Sequence, residues 1–450
     1  MSFQSYVSTI LFVFTVTLCS GQYPILSERE RAKVKDELLL HRFQTILPDL
    51  MRKQNIDMWV IVAREYNEDP IAKTMLPATW LNARRRTILV FSDSGAAKGI
   101  ERLAVARYNI GNLFRGVWNP EAEPNQWKKL MEIIEQKNPS KIGINFSAEY
   151  AHADGITRSE FDSLYSYLPS RFKKKIVSAE GLAVNWLELR TQKELEIYEA
   201  ICGIGHGIIA EAFSEKVIHP GITTTEDVVW WLRERVSELK LDTWFHPTVD
   251  IQRADADKGD SERSFASRPG EELILAGDLL HVDFGISYLG LNTDVQQHAY
   301  VLKPGERDAP ADLIKALQTG NRLQDILTSN FALNKTGNEV LKETIAQAKK
   351  ENINPSIYSH PIGYHGHAAG PSIGMWDMQS GVPGSGDYRL LYNTAYAIEL
   401  NARIRVAAWN DKEVRIMLEE DAVFTPQGVR YLNGRQKELF LIPRNPVPTQ

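Results

Sequence analysis

Two apolar runs that each enclose a single carboxylate limit what this chain can become more than any other feature. Between Gly277 and Val301 the sequence reads as two strands, Leu279–Gly285 and Thr293–Leu302, joined by a bend through Gly290. Asp283 sits inside the first run and Asp294 inside the second. A carboxylate buried among Val, Leu and Phe is costly unless it is paired or bound to a metal. Two on adjacent strands would repel, and one would be forced to stay protonated. A cation between them removes both penalties, which makes a metal site on paired strands the first expectation.

More ligands of the right kind follow. The segment from Ser359 to His367 holds His360, His365 and His367 among Gly and Pro residues, a density of imidazole that core packing does not explain. The apolar strand Ala395–Leu400 carries Glu399, and Glu419, Glu420 and Asp421 precede the strand Ala422–Thr425. Between them, Arg403–Ala408 and Val414–Leu418 read as a further strand pair with Asp411 in the turn. Asp283, Asp294, one histidine, Glu399 and Glu419 make four carboxylates and one imidazole, a set whose charge two divalent cations would balance. Oxygen-rich ligation with one nitrogen suits Mn, Fe(II), Co or Zn. Two such metals about 3.5–4 Å apart can share a water, lower its pKa and polarise a carbonyl, the equipment of a hydrolase without a Ser or Cys nucleophile.

The rest of the chain reads as ordinary scaffold. With 450 residues, 43% hydrophobic and 24% charged, and a net charge of −5, it has room for two or three domains and no basic stripe for nucleic acid. The densest basic run, Arg84 to Arg86, is a solvated edge. Residues 1–21 resemble an export signal: Tyr6–Leu18 is apolar but too short to span a bilayer comfortably, and Cys19-Ser20-Gly21 offers a small-residue cleavage site, with lipidation of Cys19 the less favoured outcome. Cleavage would leave Cys202 as a lone, buried thiol and no disulfide. Ser27–Asn55 is helical. The strands Met58–Val62, Thr87–Phe91, Leu103–Ala106 and Lys141–Ile144, with a helix near Gln126–Gln136, give an α/β domain over residues 22–188. Arg64, Glu65 and Asp69 fall in a surface loop, and strand signals stop over Lys173–Glu188. A second domain, 189–450, opens with a long amphipathic helix from Arg190, in which His206 is structural. A helix capped by Thr224 or Thr225 follows, and a helical region lies within Ala309–Lys349. The polar stretch between His246 and Gly270 reads as a loop or flap. Asp255 and Asp257 begin like a calcium loop, but Gly259, Asp260 and Ala266 break the pattern.

Taken together, residues 190–442 resemble the pita-bread metallopeptidases, the family of methionine aminopeptidase, aminopeptidase P and prolidase; residues 27–188 more loosely resemble a creatinase-type N-terminal domain. The match runs through Gly277-Asp278, Asp283-Phe284-Gly285, Asp294, His360-Pro361-Ile362-Gly363, Ile398-Glu399 and Glu419, in the family's order. The resemblance implies an α+β fold, metal ligation by Asp283, Asp294, His360, Glu399 and Glu419, a substrate or transition-state contact from His367, and a base role for Glu399. His365 would line the site. The family's further substrate histidine, usually about seventeen residues before the first Asp, would fall near Ala266, and His246 is the nearest histidine upstream. Leu400 stands where the family has Pro, and Met417-Leu418 where it has Arg-Ile, with Arg415 two residues away. The specificity shell is thus altered around an intact ligand set. His281, on the same strand face as Asp283, either supports the ligands or is simply packed. The resemblance implies an exported aminopeptidase acting on peptides, with Xaa-Pro as the substrate class and a homodimer as a possible assembly. A prolidase-type dipeptidase, a peptide-binding protein without catalysis and a metal-free creatinase-like hydrolase are the alternatives.

Overall fold

A computed structural model of the chain describes residues 24–254 and 270–444. The expected export signal with Cys19 lies outside the described residues, as do Asp255, Asp257, Gly259, Asp260 and Ala266.

The N-terminal unit is built on a mixed six-stranded sheet. Its strands are β1 (Met58–Arg64), β2 (Arg86–Asp93), β3 (Ile100–Ala104), β4 (Arg115–Gly116), β5 (Ile142–Ile144) and β6 (Ile176–Ser178), in the order β4-β3-β2-β1-β5-β6. The MWVIVA run of β1 is buried on both faces, as a central strand between two apolar layers should be. Three expectations are corrected here. The helix over 27–55 is two helices, Glu28–Thr45 and Leu47–Lys53, because Pro48 cannot donate a backbone hydrogen bond and fits only in the first turn of a new helix. Strand signals do not stop at Lys173: β6 and the helix Glu180–Glu188 complete the unit. Asp69 is not a surface residue but fully buried, capping the turn Pro70–Lys73 through Ile71 N–H (2.8 Å) and accepting from Asn145 Nδ2 (2.9 Å).

The core changes hands near residue 190. Leu182, Trp186 and Leu187 pack into the N-terminal core, whereas Leu195, Tyr198 and Ile201 of the helix Gln192–Ala212 pack into the next. A buried ion cluster sits across this junction, with Arg42 Nη1 2.8 Å and Arg190 Nη1 3.2 Å from Glu194.

The second unit contains β7 (Thr248–Gln252), β8 (Leu279–Phe284), the short pair β9 (Ser287–Tyr288) and β10 (Leu291–Asn292), and β11 (Val295–Val301). Then come β12 (Asn354–Ile357), β13 (His360–Pro361), β14 (Thr394–Ala397), β15 (Leu400–Val406), β16 (Lys412–Leu418), β17 (Asp421–Thr425), β18 (Gly428–Tyr431) and β19 (Phe440–Ile442). One sheet runs β19-β11-β8-β7, a second β12-β15-β16 and a third β13-β14-β17-β18. The second and third are two halves of one bent surface, because the same three passes of chain run through both in the same order. Each pass leaves its ladder at a corresponding point: Tyr358–Ser359, Ile398–Glu399 and Glu419–Glu420. The strand expected over Ala395–Leu400 is therefore two strands, broken at Glu399. Helices Gln192–Ala212 and Thr225–Glu238 back the first sheet, while Ala311–Ser329 and Gly337–Lys350 back the bent one. An isolated bridge between Gln296 and Glu419 stitches β11 to the fold line.

Candidate metal centre

The ligand candidates lie along that fold line because each occupies the end of a ladder. Asp283 is in the last turn of pairing of β8, and Asp294 immediately precedes β11. Between them the chain reverses through Leu289 and Gly290, both at positive φ. Gly285 permits the return: a Cβ there would stand 2.2 Å from the carbonyl oxygen of Thr293. His360 opens β13, and Glu399 and Glu419 occupy two of the three ladder breaks.

The five side chains converge. His360 Nε2 lies 3.8 Å from Asp294 Oδ2, 3.9 Å from Glu399 Oε2 and 3.5 Å from Glu419 Oε1. Donor atoms of Asp283, Asp294 and Glu419 lie within 4.8 Å of one another, as do those of His360, Glu399 and Glu419, and those of Asp294, His360 and His367. Four buried atoms in this cluster have no hydrogen-bond partner: Asp283 Oδ1, Asp294 Oδ1, His360 Nε2 and Glu419 Oε1. Buried polar atoms are normally satisfied, so four unpaired acceptors on residues that share these overlapping groups mark a place for cations. The residues thus fit a divalent metal by donor chemistry and by what the protein leaves unsatisfied.

Protonation tells the same story. His360 Nδ1 faces the carbonyl of Pro361 at 3.1 Å, which leaves the lone pair on Nε2, toward the acids. Burial lowers the His360 pKa to about 4, so the ring is neutral. Burial raises Asp283 to about 6, opposed by His281 and aided by Asp250, and pushes Asp294, Glu399 and Glu419 well above the carboxylate range, where neighbouring acids push them further. Without cations Asp294, Glu399 and Glu419 hold protons that metal ligation would displace.

Two further buried acids are held separately. Glu420 meets His206 Nε2 at 2.6 Å and accepts from Gln297 Nε2 at 2.8 Å. Despite its burial, His206 is raised to about 9 by Glu420, which makes the two a neutral ion pair. His206, expected to be structural, is so as the counter-ion of Glu420, the residue beside the ligand candidate Glu419. Asp421, raised well above its ordinary value by burial, faces the Cys202 thiol (3.4 Å) and accepts from the backbone N–H of Asp294 (3.3 Å). Cys202 itself is buried, as expected.

His367 stands perpendicular to His360 with ring centroids 4.8 Å apart and packs edge-on against Trp244. It keeps contact with solvent, yet enough of the ring is enclosed that its pKa falls to about 4. His365 faces His152 of the N-terminal unit, ring centroids 4.3 Å apart, and is also lowered to about 4 by burial. The two units meet again in a cavity of about 360 Å³ lined by Leu38, Trp80, Leu289, Tyr364 and His365. A narrower pocket beside Glu399 is lined by Gln296, Ser356, Tyr358, Trp376, Asn401 and Met417. His246 is not in any of the ligand groupings: its Nδ1 meets Arg233 Nη1 at 3.0 Å and its ring lies against Trp230. Sequence reasoning missed His152, which arrives from another domain, and Gln296, which carries no metal-ligand signature. Neither carries a sequence signal beyond a polar side chain, and Gln296 is followed directly by Gln297 and His298 in its strand.

No family model matches the chain, and no curated protein matches it in sequence. Solved structures do. An X-Pro aminopeptidase from Thermotoga maritima aligns over 87% of this chain and 99% of its own, at 15% identity and a TM-score of 0.60. The prolidase from Pyrococcus horikoshii aligns over 91% of this chain and all of its own, at 14% identity and a TM-score of 0.55. The N-terminal domain of the FACT complex subunit SPT16 from Eremothecium gossypii aligns over 91% of this chain and 99% of its own, at 13% identity and a TM-score of 0.57. At these identities the likeness is one of fold: a pita-bread domain preceded by an α/β domain. A fold hosts more than one function, so activity must be argued from the site.

Proposed function

On that fold, we propose that this chain is a peptide hydrolase of the metallo-aminopeptidase type, removing the N-terminal residue from peptides, with Xaa-Pro peptides as its substrate class. The observation that supports it is the convergence of four unsatisfied, buried donor atoms from Asp283, Asp294, His360 and Glu419, with Glu399 completing the set. Asp283, Asp294, His360, Glu399 and Glu419 would hold two divalent cations, Mn being the first choice for so many oxygens. When bound, such a pair supplies Lewis acidity toward a carbonyl and acidifies water.

The chain's own residues do the rest. Glu399, with one oxygen directed toward His360 and a raised proton affinity, can take a proton from an attacking water and pass it to the leaving amine. His367, neutral at pH 7 and open to solvent, can donate N–H to the oxygen that gains charge as the carbonyl becomes tetrahedral. His365 and His152 narrow the approach where the two units meet. An altered specificity shell, with Met417 lining the pocket beside Glu399, leaves the side-chain preference to be measured. The same reading includes export by the N-terminal signal and a homodimer.

The test is hydrolysis of an Xaa-Pro dipeptide and a longer Xaa-Pro peptide by Mn-loaded protein, with a chelated control. The expected result is turnover of the longer peptide that the chelator abolishes. Turnover of the dipeptide alone would replace the aminopeptidase with a dipeptidase. Metal binding with no hydrolysis of either would leave a binding protein on this fold.

A further inference from the structure

Beside the ligands runs a line of buried polar side chains that the proposed chemistry does not use. Across neighbouring strands, Asp250 of β7 lies opposite His281 of β8, and His281 opposite His298 of β11. Asp250 Oδ2 meets His281 Nδ1 at 3.2 Å, and His281 Nε2 meets Gln296 Oε1 at 2.9 Å. The Gln296 amide nitrogen then donates to two ligand candidates at once, Glu399 Oε1 at 3.0 Å and Glu419 Oε2 at 2.7 Å. His281 and Gln296 are each about nine-tenths or more buried.

The orientation of this line is forced. With Glu399 and Glu419 ionised, as metal ligation requires, an amide oxygen facing them would be repelled by both, so the amide must present its nitrogen. Its oxygen then points back along the sheet and needs a donor, which His281 Nε2–H provides. His298 does not compete for that place: its Nδ1 faces the Leu280 carbonyl at 3.0 Å and its Nε2 accepts from Met417 N–H at 2.9 Å. The result is a division of each glutamate. Glu399 Oε1 and Glu419 Oε2 are held by Gln296, while Glu399 Oε2 and Glu419 Oε1 face His360 Nε2 at 3.9 and 3.5 Å.

We infer that Gln296, set by His281 and Asp250, is a positioning residue for the metal centre, selecting which oxygen of Glu399 and of Glu419 is offered to a cation. This rests on the metal reading above. It also gives His281 a purpose in a strand where an apolar residue would pack as well. Groups one step behind a metal ligand commonly matter 10–100-fold in metal affinity.

Manganese binding to the full chain, titrated calorimetrically after chelator treatment, tests it, alongside the melting temperature of the metal-free protein. Gln296→Leu and His281→Phe are expected to bind Mn about 10–100-fold more weakly than wild type; His281→Phe also removes the contact to Asp250 and should lower metal-free melting as well, so the affinity decides. His281→Gln, whose amide can still donate to Gln296 Oε1, should recover most of the affinity. Wild-type affinity in both Gln296→Leu and His281→Phe, with lowered metal-free melting, would make the line a packing feature and overturn the inference. Failure of His281→Gln to recover would overturn the role given to His281. If Gln296→Leu does not fold, His281→Phe carries the test with the amide still present. The wild-type titration separates the two claims: no Mn bound removes both, whereas Mn bound without peptide hydrolysis removes only the peptidase reading.

Discussion

Stripping the metal should make stability fall with rising pH, and Asp283 lets the size be worked out. Burial raises its pKa from 3.8 to about 6 in the folded chain. The folded state therefore binds the proton more tightly than the unfolded one. The stability this contributes is fully present below about pH 4 and is lost as pH rises through about 6. A shift of about two units corresponds to about 3 kcal/mol in all, about half of it lost between pH 5 and 7. An unfolding entropy of about 2.1 cal/mol/K per residue makes one kcal/mol about 1 °C for a chain of this length. Metal-free wild type should thus lose about 1–2 °C more than metal-free Asp283→Asn between pH 5 and 7. Asp294, Glu399 and Glu419, shifted in the same direction, steepen the total fall of the wild type. Manganese should reverse the trend, because it replaces the protons: at a free concentration a thousand times its Kd, each site adds about 4 kcal/mol. Differential scanning fluorimetry at pH 5, 6, 7 and 8, with chelator and with Mn, reads all of this. Parallel curves for wild type and Asp283→Asn in chelator, or a Mn effect no larger at pH 7 than at 5, would refute the reasoning.

Three other perturbations separate the roles. His367→Ala should keep metal binding and lose about 10²–10³ in kcat, as removal of an oxyanion donor does, measured by steady-state kinetics beside calorimetry. His206→Leu leaves Glu420 buried without its counter-ion and should destabilise the fold by about 3–5 kcal/mol in chemical denaturation, metal present or not. Arg42→Met leaves Glu194 paired with Arg190 but takes a donor from the buried carbonyls of Trp186 and Leu189, and should cost less, about 1–3 kcal/mol, with metal affinity unchanged.

The parts of this molecule that were legible in the sequence are those where one residue contradicts its surroundings. Asp283 stands out between Val282 and Phe284, and Asp294 beside Val295 at the head of a buried strand, and the strand pair they imply is present as β8 and β11. The turn at Asp411 and the helix capped by Thr224 or Thr225 are equally plain, since turn and cap chemistry is local, and the structure selects Thr224; the long helix read from Arg190 begins at Gln192, with Thr191 as its cap. What escaped depends on distant partners. Nothing near Glu399 says that its strand breaks there, because the break is where the chain passes from one half of the bent surface to the other. Asp69 reads as a loop residue because its partner Asn145 is far along the chain, and the structural role expected of His206 is present, though its partner Glu420, farther still, could not be named. Gln296 gave no signal, since an amide announces neither charge nor metal.

The central claim is that these buried acids exist to hold cations, and counting the cations tests it most directly. Protein stripped with chelator, exposed to Mn, Co or Zn and desalted, should retain about two metal ions per chain by elemental analysis. Glu419→Gln, which removes a charge from the middle of the cluster, should retain fewer. A wild-type chain that retains none, or the same count in wild type and Glu419→Gln, would contradict the account.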